Sequence, residues 1–140
     1  MDKNIEIIKD ESGRINRIVQ YLKKVKHGQW VSFFKSALIR EIGNYNRGVE
    51  FGIWKEWYAS GQLKEECHYK KGIKIPINFW DENGNKLLEN GTGYTIEKFG
   101  TNEYDVYKHF FQNGEFKSEE KIEGVSFGRF EPNNPHPKNT

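Results

Sequence analysis

The side chains that most often carry out chemistry are few in this sequence and are poorly grouped. None of the four histidines has a cysteine or a second histidine at metal-ligand spacing; they are His27, His68, His109 and His136. Cys67 precedes His68, but neighbours along a strand point to opposite faces, which is a poor geometry for a nucleophile and its base. We therefore expect no metal site and no cofactor.

Two pairs of adjacent carboxylates, Glu65-Glu66 and Glu119-Glu120, are the other candidates for chemistry. General acid-base catalysis needs both groups directed at one substrate, whereas adjacent strand residues lie on different faces. The glycines form no GxSxG, GxGxxG or phosphate-loop pattern. We therefore predict no catalytic residue, and a chain that is not an enzyme.

The glycines instead separate short runs of residues that suit β-strands. In GIWKEWYASGQLKEECHYKKG, residues 52–72, Ser60-Gly61 and Lys71-Gly72 have the composition of two-residue hairpin turns. The runs beside these turns mix large apolar side chains with charged ones, as strands that bury one face do. A helix is disfavoured, because each internal glycine would cost about 1 kcal/mol.

Folding the chain at Ser60-Gly61 predicts which side chains share a face. Cross-strand partners point the same way, and the predicted pairs are Trp54 with Cys67, Glu56 with Glu65, and Tyr58 with Leu63. One face then gathers the core side chains Trp54, Tyr58, Leu63 and Cys67. Cys67 is predicted to be a small buried hydrophobe, and Trp57 to lie on the other face.

The segment recurs along the chain with a period of about 24 residues. Residues 28–48 match it without a gap, with Trp30 in the place of Trp54 and Tyr45 in the place of Tyr69. Residues 105–124 match with one residue deleted, so that Gly114 takes the place of Gly61. Residues 75–93 and 5–24 are weaker copies.

A fixed period in this range indicates a repeat protein whose units bury their apolar faces against their neighbours. We predict an all-β fold, a single antiparallel meander sheet of about five tandem β-hairpin repeats with roughly eight to ten strands. Two segments leave alternatives open. Residues 14–28 also have apolar side chains at helical spacing and could form a terminal helix, and residues 94–104 are an insertion that forms either a strand or a loop.

The repeat also predicts where the chain turns and which rings are buried. Turns are expected at Gly13, Gly48, Gly61, Gly72, Gly84, Gly114 and Gly124. The rings expected on one buried face are Trp30, Phe34, Trp54, Tyr58, Tyr107 and Phe111.

The composition suits such a sheet. A chain of 140 residues makes one domain, and 35% apolar residues with 15% aromatics describe a polar but ordered protein. We predict the repeat domain over residues 1–130 and a flexible Pro/Asn-rich tail over residues 131–140. A single cysteine and the lack of an apolar leader or span predict a cytoplasmic protein, unless a leader has been removed.

The charge is nearly balanced. Because 22 basic and 20 acidic side chains give a net charge of +2, we expect no nucleic-acid partner and no membrane partner. Two small lysine clusters would serve a membrane alternative, and they are Lys23, Lys24 and Lys26, and Lys70, Lys71 and Lys74.

The repeated units resemble the MORN-repeat variant, whose pattern is Gly-x-Trp, an aromatic pair, Asn/Ser-Gly, an apolar residue and a closing Gly. The resemblance covers most of residues 28–128 and departs from the pattern at Ala37, at Leu38 and over residues 75–80. Bacterial proteins of this variant are grouped as antitoxins of the YwqK type, or as immunity proteins beside polymorphic toxins. The resemblance implies a hairpin-repeat fold and a binding role.

We therefore predict a non-catalytic antitoxin or immunity protein that neutralises a toxin by direct binding. The predicted partner-binding residues occupy one repeat position on the face opposite Trp54, and they are Phe33, Trp57, Trp80 and Phe110. The same row could instead be a second core. The alternative function is a structural or membrane-associating scaffold module.

Overall fold

A computed structural model of the chain describes residues 2–100 and 105–122. It contains eleven strands in one open antiparallel sheet whose spatial order is the chain order. The strands are β1 (Lys3–Lys9), β2 (Ile15–Leu22), β3 (Val25–Phe33), β4 (Ile39–Asn46), β5 (Val49–Trp57), β6 (Leu63–Lys70), β7 (Ile73–Trp80), β8 (Lys86–Glu89), β9 (Thr92–Phe99), β10 (Asp105–Gln112) and β11 (Glu115–Lys121).

The predicted all-β meander is confirmed, with eleven strands instead of roughly eight to ten. The helical alternative for residues 14–28 is wrong, because β2 and β3 account for most of that segment and no described residue is helical. Residues 94–99 of the insertion belong to strand β9, and residues 101–104 lie outside the described residues. The predicted tail at residues 131–140 and the predicted turn at Gly124 lie outside the described residues.

The connections alternate between two kinds of turn. In the wide turns, the N–H of the fourth residue donates to the carbonyl of the first, and the fourth residue has a positive φ; they cover residues 10–14, 34–38, 58–62 and 81–85. The tight turns have two consecutive residues with positive φ, as in type I′ hairpins; they are Lys23-Lys24, Arg47-Gly48, Lys71-Gly72, Asn90-Gly91 and Asn113-Gly114. Because the chain reverses at every strand, wide turns lie at one end of the sheet and tight turns at the other.

Two details of the predicted turns are corrected. Ser60-Gly61 is part of a wide turn in which three residues, and not two, separate Tyr58 from its partner Gln62. Leu63 therefore pairs with Trp57 instead of Tyr58. Gly114 belongs to a tight turn, so it corresponds to Gly72 and not to Gly61. The predicted pairs Trp54 with Cys67 and Glu56 with Glu65 are confirmed.

The core lies on one side of the sheet and is built from rings that cover small residues. The rings of Trp30, Tyr45, Trp54 and Tyr69 follow one another edge to face, with centroids 5.9, 5.3 and 5.6 Å apart. We call this series the aromatic ladder, and the side of the sheet that carries it the ladder face. Each such ring pair contributes about 0.5–1.5 kcal/mol beyond the area it buries.

Buried residues with small or aliphatic side chains recur with the sequence period. Val19, Gly43, Cys67 and Gly91 are spaced by 24 residues, and all four are buried. A Cβ added to Gly43 would collide with the Trp54 ring, so the indole lies directly on this glycine. Cys67 is only 4% exposed, which confirms its predicted burial.

One of the six rings predicted to be buried is fully buried. Trp54 is 5% exposed, whereas Trp30, Phe34, Tyr58, Tyr107 and Phe111 are half-buried. A single layer explains this, because nothing on a one-layer sheet need cover the outer side of each ring. A second buried patch on the same face contains Phe79 and Leu88, which are paired between β7 and β8.

The wide turn at residues 34–38 keeps its shape although it lacks glycine. Ala37 takes the position of Gly13, Gly61 and Gly84 with a φ of 72°. A side chain in this left-handed region is strained by about 1 kcal/mol, and part of this is offset by the stiffer unfolded chain.

We therefore expect Ala37→Gly to raise the free energy of unfolding by about 0.5–1 kcal/mol, measured by urea denaturation. Ala59 in the next wide turn has no positive φ, so Ala59→Gly should lower stability by a similar amount. A destabilised Ala37→Gly variant would contradict the assigned turn.

Candidate functional site

Three of the four predicted partner-binding residues occupy equivalent places. Phe33, Trp57 and Trp80 are the last residues of β3, β5 and β7, and each is followed by a wide turn. Each follows a residue of the ladder face, so each side chain lies on the other side of the sheet. They are separated by two strands, or about 10 Å, from one ring to the next.

Phe110 does not belong to this row. His109 and Phe111 lie on the ladder face of β10, so Phe110 between them lies on the same face as the row. Phe110 nevertheless stands near the tight-turn end of the sheet and pairs with Tyr94. The internal repeat placed Phe110 in the row because it matched Gly114 to Gly61, which belongs to the other class of turn. The structure therefore groups Phe33, Trp57 and Trp80, and separates Phe110 from them.

Hydrogen bonding fixes the spacing of the row. The Tyr58 hydroxyl donates to the carbonyl of Trp80 over 2.8 Å, which joins two successive wide turns. Trp57 pairs with Leu63, Phe33 with Ile39, and Trp80 with Lys86, whose ammonium lies 5.3 Å from the Trp80 ring centroid. The three rings are half-buried.

Apolar side chains extend from this row over the same side of the sheet. Ile7, Ile18, Val31 and Ile42 are consecutive cross-strand partners from β1 to β4, and we call their side of the sheet the apolar face. The series ends at Lys55, which pairs with Glu66 at 3.2 Å.

Many side chains of the apolar face are exposed. Ile7 is 54% exposed, Ile39 is 40% exposed and Ile53 is 46% exposed. Scattered apolar side chains are ordinary on a protein surface, but here Ile7 and Ile39 are direct cross-strand neighbours of Ile18 and Phe33. A contiguous apolar surface of this kind is typical of a binding site for another protein.

The ladder face carries a row of three carboxylates that the sequence analysis did not single out. Glu41, Glu56 and Glu65 are consecutive partners on β4, β5 and β6. Two sequence features indicate this row. Glu56 is predicted to pair with Glu65, and Glu41 occupies the same repeat position as Glu65. They border a cavity of about 30 Å³ beside Trp54 and Cys67.

Burial raises the pKa of two carboxyl groups of the row, Glu41 and Glu65. Burial raises the pKa of Glu41, and the charge of Glu56 raises it further. Burial also raises the pKa of Glu65, which is 6% exposed, although its ion pair with Lys74 offsets part of this effect.

The remaining reactive groups have structural partners or are held unreactive. Burial raises the pKa of the Cys67 thiol to about 12, so it is not a thiolate at neutral pH. His27 Nδ1 accepts a hydrogen bond of 3.1 Å from the backbone N–H of Arg47. His109 Nε2 lies 3.1 Å from a carboxylate oxygen of Glu119, and His68 is half-buried on β6. His136 lies outside the described residues.

Three further features of the described residues concern metal ligands, membrane spans and cavities. Across residues 2–100 and 105–122, no three His, Cys, Asp or Glu side chains converge as metal ligands. The same part of the chain has no helix that could cross a bilayer. A broad concavity of about 630 Å³ lies between β1, β2 and β3, and its Gln20 is already bonded to the backbone N–H of Gln29.

Comparison of the chain with protein families, with curated proteins and with solved structures finds no match.

The carboxylate row predicts a stability that depends on pH. Because the folded-state pKa of Glu41 is raised, its contribution to stability is present at low pH and is lost as the pH rises through that pKa. Glu56→Gln removes the repulsion, so we expect it to raise the free energy of unfolding at pH 7 by about 0.5 kcal/mol, with a smaller gain near pH 4.

Thermal or urea denaturation at several pH values measures this difference. Glu66→Gln is the matched control, because Glu66 lies on the apolar face and is paired with Lys55. It should give no gain at pH 7. A Glu56→Gln variant that loses stability at pH 7 would mean that the Glu56–Lys64 ion pair, at 3.6 Å, outweighs the repulsion.

Proposed function

We propose that this chain is a non-catalytic binding protein, and that it is an antitoxin or immunity protein that neutralises a bacterial toxin by direct contact in the cytoplasm. The resemblance of the repeats to the MORN variant supports the choice of a toxin as partner. The observation that carries the binding role is the row of Phe33, Trp57 and Trp80 at the border of an exposed apolar face.

The geometry of the row suits a protein interface. Large rings supply most of the energy in such interfaces when they enter pockets on the partner. The three rings stand about 10 Å apart along the sheet, so one partner surface can contact all of them. Their partial burial means that each ring is already held in place by its own sheet, which lowers the entropy lost on binding.

The apolar face supplies the area around these rings. Ile39 is the cross-strand partner of Phe33 and is 40% exposed, and Leu63 is the partner of Trp57. The Lys55–Glu66 ion pair borders the apolar residues on the β5 and β6 side. An apolar centre with a polar border is the usual composition of a protein-binding surface.

We propose that the row is a contact surface instead of a second core. Most of the fully buried side chains of the described sheet, including Trp54, Phe79 and Leu88, lie on the ladder face, and Val106 on β10 is buried on the other face. Phe33, Trp57 and Trp80 are half-buried, as several rings of the ladder face also are. We therefore expect truncation of one of these rings to affect binding more than stability.

Trp57→Ala tests the proposal. The proposal expects a toxin-domain protein encoded beside this gene, and the assay is titration calorimetry with that protein together with rescue of growth when it is expressed. We expect binding to weaken by about 2 kcal/mol, or roughly thirtyfold, because a central aromatic anchor is lost. The free energy of unfolding should fall by only about 1–2 kcal/mol, since the ring is partly exposed already.

Phe116→Ala is the matched control. Phe116 is a ring on β11 that is 55% exposed and pairs with Phe111 on the ladder face. It should bind the toxin as the unchanged protein does. Failure of the unchanged protein to bind the neighbouring toxin, or equal binding by Trp57→Ala, would overturn the proposal.

A further inference from the structure

The tight turns bring together a line of unpaired cations. Lys23, Lys24, Arg47 and Lys71 stand at three successive tight turns and are exposed. Within the described ranges, none of these four side chains forms an ion pair with an acidic group. Within three residues of these turns along the chain, the acidic residue is Glu50. Asp2, directly before β1, is the other acidic residue near this end.

Exposed aliphatic side chains alternate with the cations. Val25, Val49 and Ile73 each follow a tight turn, and they are 45%, 46% and 68% exposed. They recur every 24 residues, as the turns do. Since successive tight turns are two strands apart, the line repeats each cation and each aliphatic side chain about every 10 Å.

Contacts between successive turns hold this line in place. The N–H of Gly48 donates to the carbonyl of Lys26 over 2.7 Å, and the N–H of Arg47 donates to His27. Val25 and Val49 pack beside the glycines of the next turns, where an added Cβ would lie only 3.2 and 3.1 Å from them. The backbone that carries the cations is therefore ordered before any partner binds.

We infer that this edge is a second binding surface, and that it takes an extended acidic polypeptide segment. An extended chain in the polyproline II conformation has three residues per turn and advances about 3.1 Å per residue, so carboxylates three residues apart lie on one side and match the repeat of the cations. Apolar side chains between the carboxylates would contact Val25, Val49 and Ile73. The surface is separate from the apolar face, so this inference does not depend on the proposed toxin contact.

A polypeptide fits the edge better than a nucleic acid or a membrane. Single-stranded nucleic acids stack successive bases on a series of free ring faces, but Tyr45 and Tyr69 at this end are engaged edge to face by Trp54, which leaves Phe51 as the exposed ring beside these turns. A bilayer presents a plane of headgroups, whereas the cations lie along one line at the end of a single sheet.

The decisive variant is Lys23→Asn, Arg47→Asn and Lys71→Asn combined. Asn tolerates positive φ and already precedes glycine at Asn90-Gly91 and Asn113-Gly114, so the turns should keep their shape. The matched control is Lys9→Gln, Lys35→Gln and Arg40→Gln combined, which removes the same charge towards the wide-turn end.

Fluorescence anisotropy measures binding of a synthetic peptide of about twelve residues, with glutamate at every third position and valine and serine between. We expect the Asn variant to bind at least about tenfold more weakly than the unchanged chain and the Gln control. Binding by the unchanged chain should also weaken as the salt concentration rises. The Trp57→Ala variant should bind the peptide with the same affinity as the unchanged chain.

Three results would overturn the inference. The first is no binding of the peptide by the unchanged chain at low salt. The second is an equal loss in the Asn variant and the Gln control, which would show only a response to net charge. The third is tighter binding of a single-stranded oligonucleotide, or of vesicles that contain phosphatidylserine, than of the peptide.

Discussion

The contact of the Trp54 indole with Gly43 is the interaction on which the rest of the sheet depends. A sheet with one layer has no second layer to supply a core, so it must bury its own side chains under one another. Large rings on the ladder face do this by lying across small residues of neighbouring strands. Trp54 is 5% exposed only because Gly43 leaves room for it.

This one-sided core gives the two faces and the two ends different properties. With burial concentrated on the ladder face, the apolar face stays open and carries Phe33, Trp57 and Trp80. The alternation of turns sends the wide turns to one end of the sheet and the tight turns, three of which carry cations, to the other. Because the sequence period of 24 residues corresponds to two strands, equivalent residues recur at every second strand and form straight rows across the sheet.

Much of the fold could be predicted, because period, turn residues and strand pairing are local signals. The register of Trp54 with Cys67 agrees with counting outward from Gly61, because the bulge between Glu56 and Trp57 lies between the turn and that pair and offsets the longer turn. Leu63 was misplaced because a wide turn and a two-residue turn have nearly the same sequence signature. Phe110 was misplaced because glycine marks both classes of turn, and the carboxylate row was overlooked because it joins three different strands.

A double-mutant cycle on Gly43 and Trp54 tests the one-sided core most directly. Gly43 has no positive φ, so Gly43→Ala alone should cost about 2 kcal/mol or more only through displacement of the indole. In a Trp54→Leu background, the same change should cost less than about 1 kcal/mol by urea denaturation. An equal cost of Gly43→Ala in both backgrounds would contradict this account of the fold.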